Sequence, residues 1–264
     1  MALTSEPDFG RTVVDYTRHR AGFPPETLDR LASHGVGLPG QRVLDLGTGT
    51  GTLARQFALR GCDVTGLDPS SSMLEAAARL DSESRTRVDY RLGTAERTGF
   101  PDASFDVVTA GQCWHWFDRP AAAQEALRVL RPEGRVAIVH FDWLPLPGNA
   151  VAATEQLILE FNPTWQLGSG TGVYPQWLRD LGDASFEGIE TFSFDVAVPY
   201  TVESWVGRVR ASAGVAAVLS EPQVEAFTVR LTDLLNSRDE PDPLLLPHRV
   251  WGVVARSPHE RVAR

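Results

Sequence analysis

Residues 43–51 read VLDLGTGTG, and the acid and glycines in that run point to the first chemistry available to the chain. Gly47, Gly49 and Gly51 follow a short apolar stretch, the pattern of a buried strand turning tightly into a helix that starts near Thr52. Such a turn, free of Cβ atoms, lets backbone amides approach a ligand, so the loop is predicted to cradle a nucleotide. Asp45 sets a carboxylate beside it, which repels a pyrophosphate and suits a ligand bearing an amine and a sulfonium. The dinucleotide fingerprint wants Gly or Ala where Thr52 stands. A phosphate loop wants Gly-Lys, and this chain contains no lysine. A plain tight turn is the remaining reading of the same glycines.

A second acid follows at a telling distance. Cys62 to Leu67 is short and largely apolar and ends at Asp68, 23 residues after Asp45, which is one strand, turn and helix further on. An acid at that strand end faces the ligand, where its two oxygens can accept both hydroxyls of a ribose. Asp68 also suits a helix cap, because Pro69, Ser70 and Ser71 follow it. The run Gln112-Cys113-Trp114-His115-Trp116-Phe117-Asp118 places two indoles, a phenyl ring and an imidazole directly after the fourth strand. Trp114 is a candidate wall that excludes water, its π face attractive to a sulfonium. His115 is a candidate general base for a hydroxyl, thiol or amine. The alternative is a core role for the aromatics, with His115 donating to a carbonyl.

The phrase VLDLGTGTG resembles motif I of the class I S-adenosylmethionine-dependent methyltransferases. GTAERTGFPDASFDVVTAG resembles the acid-strand phrase of that family, and CWHWFD resembles its small-molecule branch of the trans-aconitate and ubiquinone type. The phrase ALRVLRPEGRVAIV is similar to a further, architectural signature. The resemblance implies an α/β, Rossmann-like fold with a seven-stranded, mostly parallel sheet, an antiparallel last strand and helical cap insertions. It implies S-adenosylmethionine as cofactor, S-adenosylhomocysteine as product and a small-molecule methyl acceptor, with natural-product methylation as the expected setting. Carried over residue by residue, it makes Tyr16 and Arg20 lid candidates, Arg20 by pairing with the cofactor carboxylate. Met73 would rest on the adenine, and Ala95 and Glu96 would bracket its edge. Thr94 departs from the family, where Asp is common. The cofactor-binding set is therefore Tyr16, Arg20, Asp45, Gly47, Thr48, Gly49, Asp68, Pro69, Met73, Ala95, Glu96 and Gln112. The acceptor side comprises Trp114 and His115.

The elements needed to position these groups are legible in order. A helix is predicted from about Glu26 to His34, another carrying Leu53, Phe57 and Leu59 on one face, and a third from Met73 to about Leu80. A polar loop, DSESRT, is expected at residues 81–86, then strands over Val88–Leu92, Phe105–Ala110 and Arg135–Phe141. The helix Gln124–Leu130 and a turn at Arg131–Gly134 precede the last of these. Beyond Asp142 we read a helix over Asn149–Phe161, a cap, a strand over Gly188–Val198, helices over Val202–Ser212 and Pro222–Asn236, and a strand over Arg249–Arg256. The expectation is a single methyltransferase domain over residues 1–264 with a cofactor-binding core at 26–141, lid and cap elements occupying 1–25, 142–187 and 199–247.

Composition narrows the function classes. With 34 acidic against 25 basic residues the net charge is -9, which repels a phosphate backbone, so no nucleic-acid partner is expected. No basic-then-apolar leader opens the chain and no stretch nears the ~20 apolar residues that span a bilayer, so a cytoplasmic enzyme with no membrane partner is expected. The two cysteines, Cys62 and Cys113, lack metal-ligand spacing, and no metal is expected. The competing classes are a protein that binds the nucleoside without transferring a group and a nicotinamide-dependent oxidoreductase.

Overall fold

A computed structural model describes residues 22–259. The chain divides into two compact units. The unit bearing the glycine loop comprises Gly22–Phe141, Tyr174–Phe194 and the residues from Val250 onward. Its helices and strands alternate except between β3 and β4: α1 (Pro25–Ser33), β1 (Arg42–Leu46), α2 (Thr52–Leu59), β2 (Asp63–Asp68), α3 (Ser71–Ser84), β3 (Asp89–Leu92), β4 (Phe105–Gly111), α4 (Arg119–Val129) and β5 (Leu130–Trp143). Then come α5 (Ala150–Phe161), α6 (Gln176–Asp183), β6 (Glu187–Tyr200), α7 (Val202–Arg210), α8 (Glu221–Asn236) and β7 (Leu244–Arg256).

The strands form one seven-stranded sheet in the order β3-β2-β1-β4-β5-β7-β6. Pairing is parallel from β3 through β5, and the last strands bring in antiparallel pairing, as the family resemblance implies. The order reverses beside β1, so the carboxyl ends of β1 and β4 flank the switch point where ligands gather in such sheets. Val43 to Leu46 are all buried, because a central parallel strand is covered on both faces. Leu44, Leu46, Val108, Ile138 and Val253 share one core with Trp114, Trp177 and Trp251.

Several expected boundaries move, each for a physical reason. Leu53 and Phe57 are buried, but Leu59 is 64% exposed, since six residues along an α-helix carry it off the buried face. The segment read as a polar loop, from residue 81, continues α3 to Ser84, because Asp81 turns inward to Arg55, Tyr90 and the Val88 amide. Arg131–Gly134 is an irregularity within β5 and not a turn before it. The register jumps from Phe105↔Leu130 to Val107↔Arg135, with Glu133 at φ 64°. Helix α4 starts at Arg119, five residues before its expected start, capped by the Asp118 side chain.

The other unit holds Asp142–Val173 and Asp195–Arg249. Its core gathers α5, α7 and α8 about Trp205, Phe227, Leu231 and Ile158. Trp205 is fully buried, with its indole N–H donated to the Thr154 hydroxyl at 3.0 Å. The Arg208 guanidinium lies 5.0 Å over the Trp143 ring. Among the described residues no helix is long and apolar enough to cross a membrane.

Candidate active site

The glycine loop is held by backbone hydrogen bonds to β2 and within itself. The Thr48 amide donates to the Leu67 carbonyl at 3.0 Å, and the Gly51 amide to Thr48 at 2.9 Å. Gly47, Gly49 and Gly51 all have left-handed φ, of 59°, 55° and 74°. Their surroundings differ. A Cβ on Gly47 would stand 2.9 Å from the Cys113 sulfur and 3.0 Å from Phe117, and one on Gly51 would stand 2.1 Å from the Tyr90 hydroxyl. A Cβ on Gly49 would meet nothing within 4 Å. Gly47 and Gly51 thus leave room for protein, while Gly49 alone of the three faces open space.

Asp68 lies at the end of β2 and is 8% exposed. Its Oδ2 accepts the Gly49 amide at 2.8 Å and its Oδ1 accepts the Ser70 amide at 2.9 Å. Burial raises its pKa, and the two amides pull it back. Each oxygen keeps a further lone pair, so two ligand hydroxyls remain acceptable donors. Asp45 is enclosed instead. It is 2% exposed, with Oδ2 accepting the Thr48 hydroxyl and Oδ1 the Thr109 hydroxyl, both at 2.7 Å. Burial lifts its pKa to about 6 against those two hydroxyls, with Asp68 adding to the rise. Asp45 therefore sets the loop and the field around it, while Asp68 presents acceptor oxygens.

The remaining candidates are distributed around these two acids. Met73 is buried in the first turn of α3, its amide on the Ser70 hydroxyl, and Pro69 is exposed before that helix. Ala95 is buried in the core, and the Glu96 carboxylate accepts the Asp118 amide at 3.0 Å, tying its loop to the aromatic run. Thr94 is exposed and bridges to Arg97. Gln112 adopts φ 65° at the end of β4, its amide on Val139 at 2.9 Å and its side-chain NH₂ on the Phe141 carbonyl at 2.8 Å. Tyr16 and Arg20 lie outside the described residues.

The aromatic run divides. Trp114 is fully buried in the core, where its indole N–H donates to Asp180 at 3.0 Å and its ring meets Phe117 edge-on at 5.7 Å. Arg119 reaches the same Asp180 oxygen at 3.3 Å. The Cys113 thiol is buried against the Leu46 carbonyl at 3.1 Å. His115, half-buried, sits 4.5 Å from Trp116 and meets His140 edge-on at 5.3 Å.

Two groups of residues were not singled out by sequence reasoning. His140, 5% exposed, lies one residue past the Gly111↔Val139 pair, and Tyr174 and Trp177 stack on each other at 4.3 Å beside it. The available signal was an imidazole inside the apolar run VAIVHF. Beneath the glycine loop, Arg55, Asp81 and Tyr90 are joined, and Arg55 also donates to the Thr50 carbonyl at 2.8 Å. Nothing local marks that set, because its members come from α2, α3 and β3. Among the described residues no group of three or more His, Cys, Asp or Glu is placed to hold a metal.

Residues 44–138 match the family model described as methyltransferase domain. An uncharacterized methyltransferase of Mycobacterium bovis is 40% identical over 131 residues, 50% of this chain and 51% of that protein. The demethylmenaquinone methyltransferase of Renibacterium salmoninarum is 40% identical over 114 residues, 42% of this chain and 46% of that protein. The chain thus spans about half the length of the curated relatives it matches. Phosphoethanolamine N-methyltransferase 2 of Haemonchus contortus, solved with phosphomonomethylethanolamine and S-adenosylhomocysteine, superposes with a TM-score of 0.59 at 21% identity, covering 97% of this chain and 61% of that one. That likeness is one of fold.

Proposed function

Proceeding from a methyltransferase domain over residues 44–138, we propose that the chain transfers a methyl group from S-adenosylmethionine to an oxygen, sulfur or nitrogen atom of a small molecule, within specialised metabolism. The observation that carries this reading is the bond from the Gly49 amide to Asp68, made where the loop faces open space. A glycine turn beside a strand-end carboxylate with lone pairs to spare fits a ribose, and the donor set, all oxygen and backbone nitrogen, fits a nucleoside.

S-adenosylmethionine, when bound, supplies an activated methyl group on a sulfonium. The chain's own residues do the rest. Asp68 accepts the ribose hydroxyls, Gly47, Thr48 and Gly49 line the turn, and Pro69, Met73, Ala95 and Glu96 border the base. Asp45 holds Thr48 and supplies negative potential for a cationic ligand. Gln112 holds the end of β4 to β5. Tyr16 and Arg20 are proposed as lid residues from the resemblance alone. On the acceptor side His115, backed by His140, takes a proton when the acceptor is a neutral hydroxyl or amine. Catalysis is then mainly alignment with water excluded, a contribution of roughly 7–11 kcal/mol in well-oriented reactions.

Calorimetry with S-adenosylhomocysteine and with NAD tests the cofactor. Binding of the first and not the second is expected, and the reverse overturns the reading in favour of an oxidoreductase. Incubation with S-adenosylmethionine and a panel of small hydroxyl, thiol and amine acceptors then tests transfer. Binding with no methylated product across the panel supports the alternative of a nucleoside-binding protein without transfer.

A further inference from the structure

We propose that Arg55, Asp81 and Tyr90 form a positioning network beneath the glycine loop that sets how tightly the loop holds its nucleoside, an inference that rests on the nucleoside-binding reading above. Two glycines make room for one phenol. A Cβ on Gly66, which pairs with Tyr90 across β2 and β3, would stand 2.9 Å from both the Tyr90 ring and the Thr48 side chain, and a Cβ on Gly51 would stand 2.1 Å from the Tyr90 hydroxyl. Glycine inside a strand gives up side-chain packing, so Gly66 marks a close approach. The Tyr90 side chain therefore runs from the sheet edge to a point directly under the loop.

There its hydroxyl donates to Asp81 Oδ1 at 3.1 Å. The same oxygen takes the Arg55 ion pair, while Asp81 Oδ2 accepts the Val88 amide at 3.1 Å. Asp81 is 5% exposed, so its charge is compensated inside the protein. The other arm of the Arg55 guanidinium donates to the Thr50 carbonyl at 2.8 Å. Thr50 is the residue after Gly49, whose amide holds the ribose-facing carboxylate of Asp68. One arginine thus links a buried acid to the loop peptide adjoining the ligand contact. Releasing Thr50 lets the two glycines beside it relax, and the Gly49 amide loses its fixed aim.

Arg55→Lys separates this role from plain stability. A lysine ammonium can pair with Asp81 but has no second arm for Thr50. For the 264-residue chain we expect S-adenosylhomocysteine to bind about tenfold more weakly by calorimetry, corresponding to loss of one charge-assisted bond, with a cooperative melt close to wild type. Tyr90→Phe, which leaves the ion pair intact, serves as the second variant and is expected to weaken binding several-fold. Both variants binding within twofold of wild type, with only the melting temperature lowered, would show that the network supports the fold alone and overturn the proposal. Failure of the wild type to bind S-adenosylhomocysteine overturns the nucleoside reading and this inference with it.

Discussion

The Gly49 amide donates to Asp68 at 2.8 Å, so the loop after β1 and the acid ending β2 form one unit of geometry although 19 residues separate them. Asp68→Asn offers one acceptor oxygen where the Gly49 and Ser70 amides need one each, and leaves an NH₂ facing a donor. We expect S-adenosylhomocysteine affinity to fall about 10- to 100-fold, measured by calorimetry. Unchanged affinity would place the ribose elsewhere.

Alanine at two loop glycines separates packing from ligand space. At Gly47 the new methyl collides with Cys113 and Phe117 in addition to the backbone strain, and a stability loss of roughly 2–4 kcal/mol in urea unfolding is expected. Gly49→Ala carries the strain alone, roughly 1–2 kcal/mol, and puts its methyl into the open space. Its larger effect should be on nucleoside binding.

Asp45 should make both stability and binding depend on pH. Its folded pKa of about 6 lies above the ordinary 3.8, so its contribution is fully present below pH 3.8 and lost as pH rises through about 6. The interval corresponds to roughly 3 kcal/mol. Asp45→Asn should therefore gain stability relative to wild type between pH 4 and pH 7 in paired thermal melts. Nucleoside binding should run the other way. The ammonium of S-adenosylhomocysteine favours the ionised carboxylate, so affinity should tighten from pH 5 to pH 7 in wild type and stay flatter in Asp45→Asn. A parallel pair of binding profiles would contradict this role.

His248, in the other unit, shows the opposite sign. Burial holds its pKa down at about 4, below the ordinary 6.5. Its contribution is present above pH 6.5 and lost as pH falls through about 4. His248→Gln should reduce the acid sensitivity of unfolding over that window, read from urea midpoints at pH 4.5 and pH 7.

Trp114→Phe tests a core role against a role at the ligand. The substitution deletes the bond to Asp180 and part of a fully buried ring, a loss of roughly 2–4 kcal/mol. S-adenosylhomocysteine affinity should stay within twofold. A tenfold weaker affinity in a fully folded variant would return Trp114 to the ligand's surroundings.

What the sequence determined by itself is what short windows encode. The apolar run at Val43–Leu46, the positive φ that the loop glycines permit, and the strand, turn and helix between Asp45 and Asp68 are set by local periodicity and backbone sterics. Their element types and order are found as expected. Tertiary structure decided which atoms those residues face. Asp45 is enclosed by Thr109, 64 residues away, Trp114 finds Asp180, 66 residues away, and Gly51 is matched to Tyr90. The same cause lengthened α3, since Asp81 is polar by composition but buried by its partners. Such contacts depend on the strand order β3-β2-β1-β4-β5-β7-β6, which brings distant segments side by side, and no spacing along the chain specifies which side chain then fills the gap a glycine leaves.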